Sequence, residues 1–173
     1  MELARQAKLS LVYFIKDLLH SKDINTVSSL TFAGLYVNVI EGWPADFSIL
    51  TPPMIVVERY DMYERTAQVG GGYITSIPFY IDIYALRGGQ KDDLAQIVFD
   101  GLNLVKNLYD YSSGFPTYAV VGGKVSRTSL EQPILYTMEI EDVRSKYSRP
   151  IPPATVGNVL TNRERIDVTF DIS

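Results

Sequence analysis

Residues 77–86 read Ile77-Pro78-Phe79-Tyr80-Ile81-Asp82-Ile83-Tyr84-Ala85-Leu86, and their alternation organises the elements on either side. Phe79, Ile81, Ile83 and Ala85 alternate with Tyr80, Asp82, Tyr84 and Leu86. That period of two gives a strand with one buried face and one mixed face. Pro78 has no N–H, which places it at the start of the strand or on an edge. Upstream, Pro52 and Pro53 block a helix and Ile55 to Tyr60 is β-branched and aromatic, so a partner strand runs from there to about Thr66. Gly70, Gly71 and Gly72 supply the backbone freedom for the reversal between the two. Downstream, Gly88-Gly89 closes the strand, and Asp92 or Asp93 sits where negative charge suits the start of a helix. Leu94, Ile97, Val98, Gly101, Leu102, Val105 and Leu108 form that helix's apolar stripe.

Outward from this unit the same rules place the other elements. Leu3, Ala7, Leu11, Phe14 and Leu18 recur every three or four residues, widened by Ile15 and Leu19, and predict a helix over residues 2–20. The polar run from Ser21 to Ser29 reads as a loop. Leu35 to Ile40 reads as a strand ended by Gly42-Trp43-Pro44. Beyond the Ser112-Ser113-Gly114 turn, Tyr118 to Val121 is strand-like. Ile134, Tyr136, Met138 and Ile140 alternate with Leu135, Thr137, Glu139 and Glu141 in another strand. Pro150, Pro152 and Pro153 make a stiff connector. Ile166, Val168, Phe170 and Ile172 then alternate with Arg165, Asp167, Thr169 and Asp171 in a last strand with one polar face. The expected product is an α+β fold: a mostly antiparallel sheet with two amphipathic helices packed on one face. One domain spans residues 1–173, with 150–173 free to act as a C-terminal arm or strand.

Composition narrows the function. With 173 residues, 46% apolar and 21% charged, the chain can bury a core unaided. A formal charge of −4 argues against binding nucleic acid by phosphate neutralisation. The absence of Cys removes disulfides, thiolate nucleophiles and sulfur-ligated metals together. Glu2, Arg5, Lys8, Lys16 and Asp17 interrupt the N-terminal apolar residues, so neither a signal peptide nor a membrane span is expected.

The chemistry-bearing residues do not assemble a site. Gly122-Gly123-Lys124 lacks the first Gly and the final Ser or Thr of a P-loop, and Gly70 and Gly72 lack the third Gly of a dinucleotide fingerprint. Both read as turn chemistry. The single His, His20, closes the first helix, where it complements the dipole better than it serves as a base. Glu139, Glu141 and Asp142 fit a solvated strand face, and Asp92 and Asp93 a helix start. The expectation is a protein that is not an enzyme, with no catalytic residue, cofactor or metal.

The aromatic content differs in kind. Twelve Tyr include Tyr60, Tyr63, Tyr73, Tyr80 and Tyr84 in the central two-strand unit. Strand propensity with partial burial is one reading. A subunit interface is the other, since Tyr supplies amphipathic contact area at low entropy. With the neighbouring arginines and glycines, the candidate interface is Arg59, Tyr60, Tyr63, Arg65, Gly70, Gly71, Gly72, Tyr73, Tyr80, Tyr84 and Arg87.

The segment Ile77–Ala85, running into Asp93-Leu94-Ala95-Gln96-Ile97-Val98, resembles the centre of tail terminator (tail completion) proteins of tailed bacteriophages. The resemblance covers the order of elements over roughly residues 1–140, and the segment after Pro150 departs from the minimal pattern. It implies a virion protein of the tail or neck, made in the host cytoplasm and free of catalytic residues. Such a protein forms a homo-oligomeric ring, usually a hexamer, that caps the tail tube and joins it to the head–neck connector protein. Its partners would be other copies of itself, the tail-tube protein and the connector, with no membrane. DNA would pass through the ring without specific binding, which suits an acidic balance. The competing readings are another neck component (a head-closure or tail-adaptor protein), a ligand-binding or enzymatic α+β domain built on Asp82 or Glu139, and a monomer whose aromatic strands are core.

Overall fold

In a computed structural model of the chain, the described residues are 2–30, 36–42, 52–60, 63–66, 73–146 and 162–173. The expected Gly70–Gly72 reversal, Trp43-Pro44, Leu35 and the Pro150–Pro153 connector lie outside them. The first helix, α1 (Leu3–Ser21), is followed by β1 (Asn38–Glu41), β2 (Met54–Arg59), β3 (Tyr63–Thr66) and β4 (Tyr73–Ala85). Then come α2 (Gly88–Gly101), a 3-10 turn (Leu102–Leu104) and β5 (Asn107–Tyr109). The hairpin strands β6 (Tyr118–Val121) and β7 (Lys124–Arg127) precede the long strands β8 (Ile134–Lys146) and β9 (Asn162–Ile172). The fold is α+β, with a sheet ordered β1-β2-β4-β9-β8-β5, β3 pairing β4 beyond the end of β2, and β6-β7 as a separate two-stranded sheet. Among the described strands of the main sheet, only β1 and β2 run parallel.

The alternation read from sequence sets the layers. Ile77, Phe79, Ile81 and Ile83 of β4 and Ile166, Val168 and Phe170 of β9 are buried on one face, against Leu11, Ile15 and Leu19 of α1 and Leu94, Ala95 and Val98 of α2. Both helices therefore cover the same face. α1 also meets β1 and β2 on one side and β5 and β7 on the other, although β1 and β5 are the two edges of the sheet. The sheet is curled around this helix. In β8 the register shifts between Ile140 and Asp142, so Glu141 is an extra residue. A bulge of this kind keeps Ile140 and Val143, three positions apart, both packed on the core.

Several expectations are corrected. Pro78 is neither at the start nor on an outer edge: it lies inside β4, paired with Thr169 of β9. Its carbonyl accepts from the N–H of Tyr60, so its nitrogen faces the same side, at the interruption between β2 and β3. The missing donor falls where no ladder bond is required. The second helix begins at Gly88, not at Asp92 or Asp93, which fall in its second turn. Packing of Leu94, Ala95 and Val98 on the sheet outweighs the weak helical preference of Gly88 and Gly89. The helix also stops at Gly101, and Leu108 belongs to β5; helix and strand happen to send residues into one core at helical spacing. Finally, β7 is an added strand. Gly122 and Gly123 both take left-handed backbone angles (φ 59° and 81°) and form the two-residue turn that joins it to β6.

β9 pairs with β4 on one side and β8 on the other, so residues 162–172 form an interior strand of this chain's own sheet. Ile166, Val168 and Phe170 are almost inaccessible, each worth about 1.5–3 kcal/mol of burial. A chain stopped after Lys146 is expected to show no cooperative thermal transition by circular dichroism. Near-native melting of that truncated chain would mean the segment is a dispensable arm. At the helix crossing, a Cβ on Gly101 would meet Leu18, its Cδ1 at 3.0 Å and Cγ at 3.2 Å, with Cδ2 nearer still. Gly101→Ala is therefore expected to lower the melting temperature. In a Leu18→Ala background the same change should stabilise, by up to about 1 kcal/mol of helix propensity.

Candidate functional site

The sheet face away from the helices carries the polar parity of β4 and β9. Register sets Asp82 opposite Arg165, Tyr84 opposite Arg163 and Tyr80 opposite Asp167. The Asp82 carboxylate is 1% exposed and accepts four N–H donors. Arg165 donates Nε to Oδ1 at 2.7 Å and an Nη to Oδ2 at 2.8 Å, a two-pronged grip. Arg163 donates Nε and an Nη to Oδ1, at 3.1 and 2.8 Å. The guanidiniums also lie over rings: Arg165 is 4.1 Å from the Tyr80 centroid and Arg163 is 5.8 Å from that of Tyr84. Hydrogen bonding to Asp82 pushes the Arg165 guanidinium pKa up. Burial, and then the Asp82 charge, pushes the Tyr84 phenol well above its ordinary value.

The candidate interface residues divide by position. Tyr60 and Tyr80 come together, centroids 4.9 Å apart, with Tyr60 63% exposed. Tyr84 is buried with Met54 and Val56 beneath Arg163, inside the chain's own packing. Arg59 is exposed at the end of β2. Tyr63 and Arg65 pair through β3 with Ser76 and Ile74, and Tyr73 pairs with Thr66. Arg87 is apart from these, exposed at the N-cap of α2 beside an open groove lined by Leu86, Pro53 and Ile97. Gly70, Gly71 and Gly72 lie outside the described residues.

Two features were not singled out from sequence. The first is the Asp82–Arg163–Arg165 cluster, whose signal was polar parity in two strong strands; what was lacking was the register joining strands about 80 positions apart. The second is a concentration of exposed apolar side chains. Eight of the eleven large ones among the described residues lie between Leu104 and Tyr136, including Leu130 at 90% and Ile134 at 57%. A contiguous apolar patch would mark a contact surface, and these residues are where one would be sought.

Two of the remaining carboxylates have ion-pair partners. Asp142 pairs with Arg144 at 2.9 Å and Asp92 with Lys91 at 3.0 Å. Among the described residues, no three His, Asp or Glu side chains are placed to hold a metal. His20 is buried rather than displayed at the helix end; its Nε2 meets the Thr26 hydroxyl at 2.8 Å and its ring packs edge-on against Tyr118. Burial lowers its pKa, so the charge needed to complement the dipole is disfavoured. No family model and no curated protein matches the sequence.

One carboxylate between two guanidiniums predicts an asymmetry. Asp82→Asn leaves two partly buried cations facing each other and should lower unfolding stability in urea by about 2–4 kcal/mol. Arg163→Gln leaves the bidentate Asp82–Arg165 pair intact and should lower it by no more than about 1–2 kcal/mol. Equal losses would show that the cluster does not act as drawn.

Proposed function

We propose that this chain is a virion structural protein: a tail terminator that assembles with copies of itself into a ring, caps the tail tube and joins it to the head–neck connector. The observation that carries the reading is the course of residues 73–101. A long central strand, β4, runs directly into α2, which packs back across β4 and β9, the arrangement that the resemblance implies. Exposed Tyr60 beside Tyr80, and the apolar residues between Leu104 and Tyr136, supply the surface a self-associating protein needs. A carboxylate-based enzyme is less favoured, because all four contacts to Asp82 come from arginines within the fold.

Light scattering at low and high concentration, with and without the cognate tail-tube protein, tests this reading. A closed ring is expected, either alone or on tube ends. Assembly only on the portal-side connector would assign the chain to head closure instead, and a strict monomer indifferent to both partners would overturn the proposal. Tyr60→Ala should change monomer stability by no more than about 1 kcal/mol while weakening assembly.

A further inference from the structure

The β6–β7 hairpin is a separate sheet with no ladder to the main one. Among the described residues, its ion pairs and hydrogen bonds to the body run to two carboxylates at the end of α1. Arg127 pairs with Asp17, the Tyr118 hydroxyl donates to Asp17 at 3.0 Å, and Lys124 pairs with Asp23 at 2.9 Å. Between these ties sits His20, its ring centroid 4.7 Å from that of Tyr118. Its Nε2 is taken by Thr26, while its buried Nδ1 has no hydrogen-bond partner.

We propose that His20 is an acid-sensitive latch: neutral, it holds the hairpin on the end of α1, and protonated, it frees the hairpin while the main sheet stays folded. The charged groups around it are Asp17 and Lys16 from α1, Asp23 from the turn after it, Lys124 and Arg127 from β7, with the Tyr118 phenol from β6. Protonation would create a second N–H donor on a ring with one partner, at a buried atom, beside Arg127 and Lys124. Asp17 opposes this, but it is already engaged by Arg127 and Tyr118. The direction follows from burial, which depresses the folded imidazole's pKa, with Lys16 and Arg127 acting the same way against Asp17. A base depressed on folding contributes its stability above its ordinary value of about 6.5, and loses it as pH falls towards the folded value. The Asp23 backbone, left-handed at φ 61°, places this corner. It lets the N–H groups of Asp23 and Ile24 close on the carbonyls of His20 and Leu19, which ends the helix at this corner.

Amide hydrogen exchange by mass spectrometry between pH 7.5 and 5.0, corrected for intrinsic rates, reads the latch. Opening of residues 118–127 is expected to rise by up to about tenfold per pH unit below about 6.5, while residues 77–84 of β4 stay protected. His20→Gln keeps a hydrogen-bonding group for Thr26 and cannot acquire the charge, so its hairpin opening should be flat over the same range. Hairpin exchange that is flat in the natural sequence overturns the proposal, as does an equal rise in β4. Persistence of the acid response in His20→Gln would assign it to another group and overturn the proposal too. Should the variant fail to dock its hairpin, the pH midpoint of hairpin opening in the natural sequence is compared with the NMR titration of this chain's single imidazole, and a mismatch overturns the proposal.

Discussion

α1 is the element that both edges of the sheet meet, and the rest of the structure is arranged around satisfying three of its sides at once. Its apolar row, Ala4, Ala7, Leu11, Ile15 and Leu19, enters the core. Arg5 and Lys8 reach Glu41 and Glu58 on the β1–β2 side, at 3.2 Å in each case. On the opposite side Gln6, Ser10, Tyr13, Asp17 and His20 recur at helical spacing and face β5, the loop after it and the hairpin. Gln6 is 2% exposed, donates to Asp110 and Ser112 and accepts from the Tyr111 N–H. Ser10 accepts from the N–H of Tyr109, so an edge strand gains a side-chain partner from the helix. A buried polar stripe of this kind gives direction that apolar packing lacks, because each donor fits one acceptor. It fixes how far α1 can slide or rotate in its trough, and so how tightly the sheet curls.

The same strands serve two different energetics on their two faces. Towards the helices, β4 and β9 contribute apolar burial that tolerates small adjustments. Away from them, the two strands oppose Asp82 to Arg165 and Tyr84 to Arg163, contacts that work in only one register. A two-residue slip would preserve the apolar face and break every one of these pairs, so the charged cluster discriminates among registers that hydrophobicity alone leaves similar.

Much of this architecture is legible in the sequence, and where legibility ends has a physical reason. Strong period-two alternation exposed β4 and β9, and the i, i+3, i+4 spacing exposed α1. Each of those signals is local. The parity of Arg165 and Asp82 was readable, but nothing local says that two strands about 80 residues apart will pair. β7 was missed because Val125 is its one buried apolar residue; its place is set by Asp17 and Asp23 across the hairpin, not by its own pattern. The start of α2 was misplaced because tertiary packing overrode the propensity of Gly88 and Gly89. Pro78 misled for a related reason: an interruption in one neighbouring strand makes a local edge inside a central strand, and sequence periodicity does not show it.

The side chains of the central strand pair and of residues 104–136 differ in how far the chain itself covers them. Tyr84 has the residue type of an interface but is enclosed by Met54, Val56 and Arg163, so it stiffens the sheet for whatever docks beside it. Tyr60, on the same strand pair, is left outward with its ring braced by Tyr80, an anchor that loses little freedom on binding. Residues 104–136 show the opposite design. They hold short strands, a detached hairpin and a β-bulge opposite Leu108 and Tyr109, with apolar side chains that the body does not cover. Tyr109 to Ser112 are nevertheless held to α1 by Gln6 and Ser10, so the uncovered side chains sit on a braced segment. In the ring proposed above, one kind of surface would meet a neighbouring copy and the other the axial partners. The curl around α1 braces the central strands, while among the described residues the hairpin's ion pairs run to the end of α1 and the turn after it.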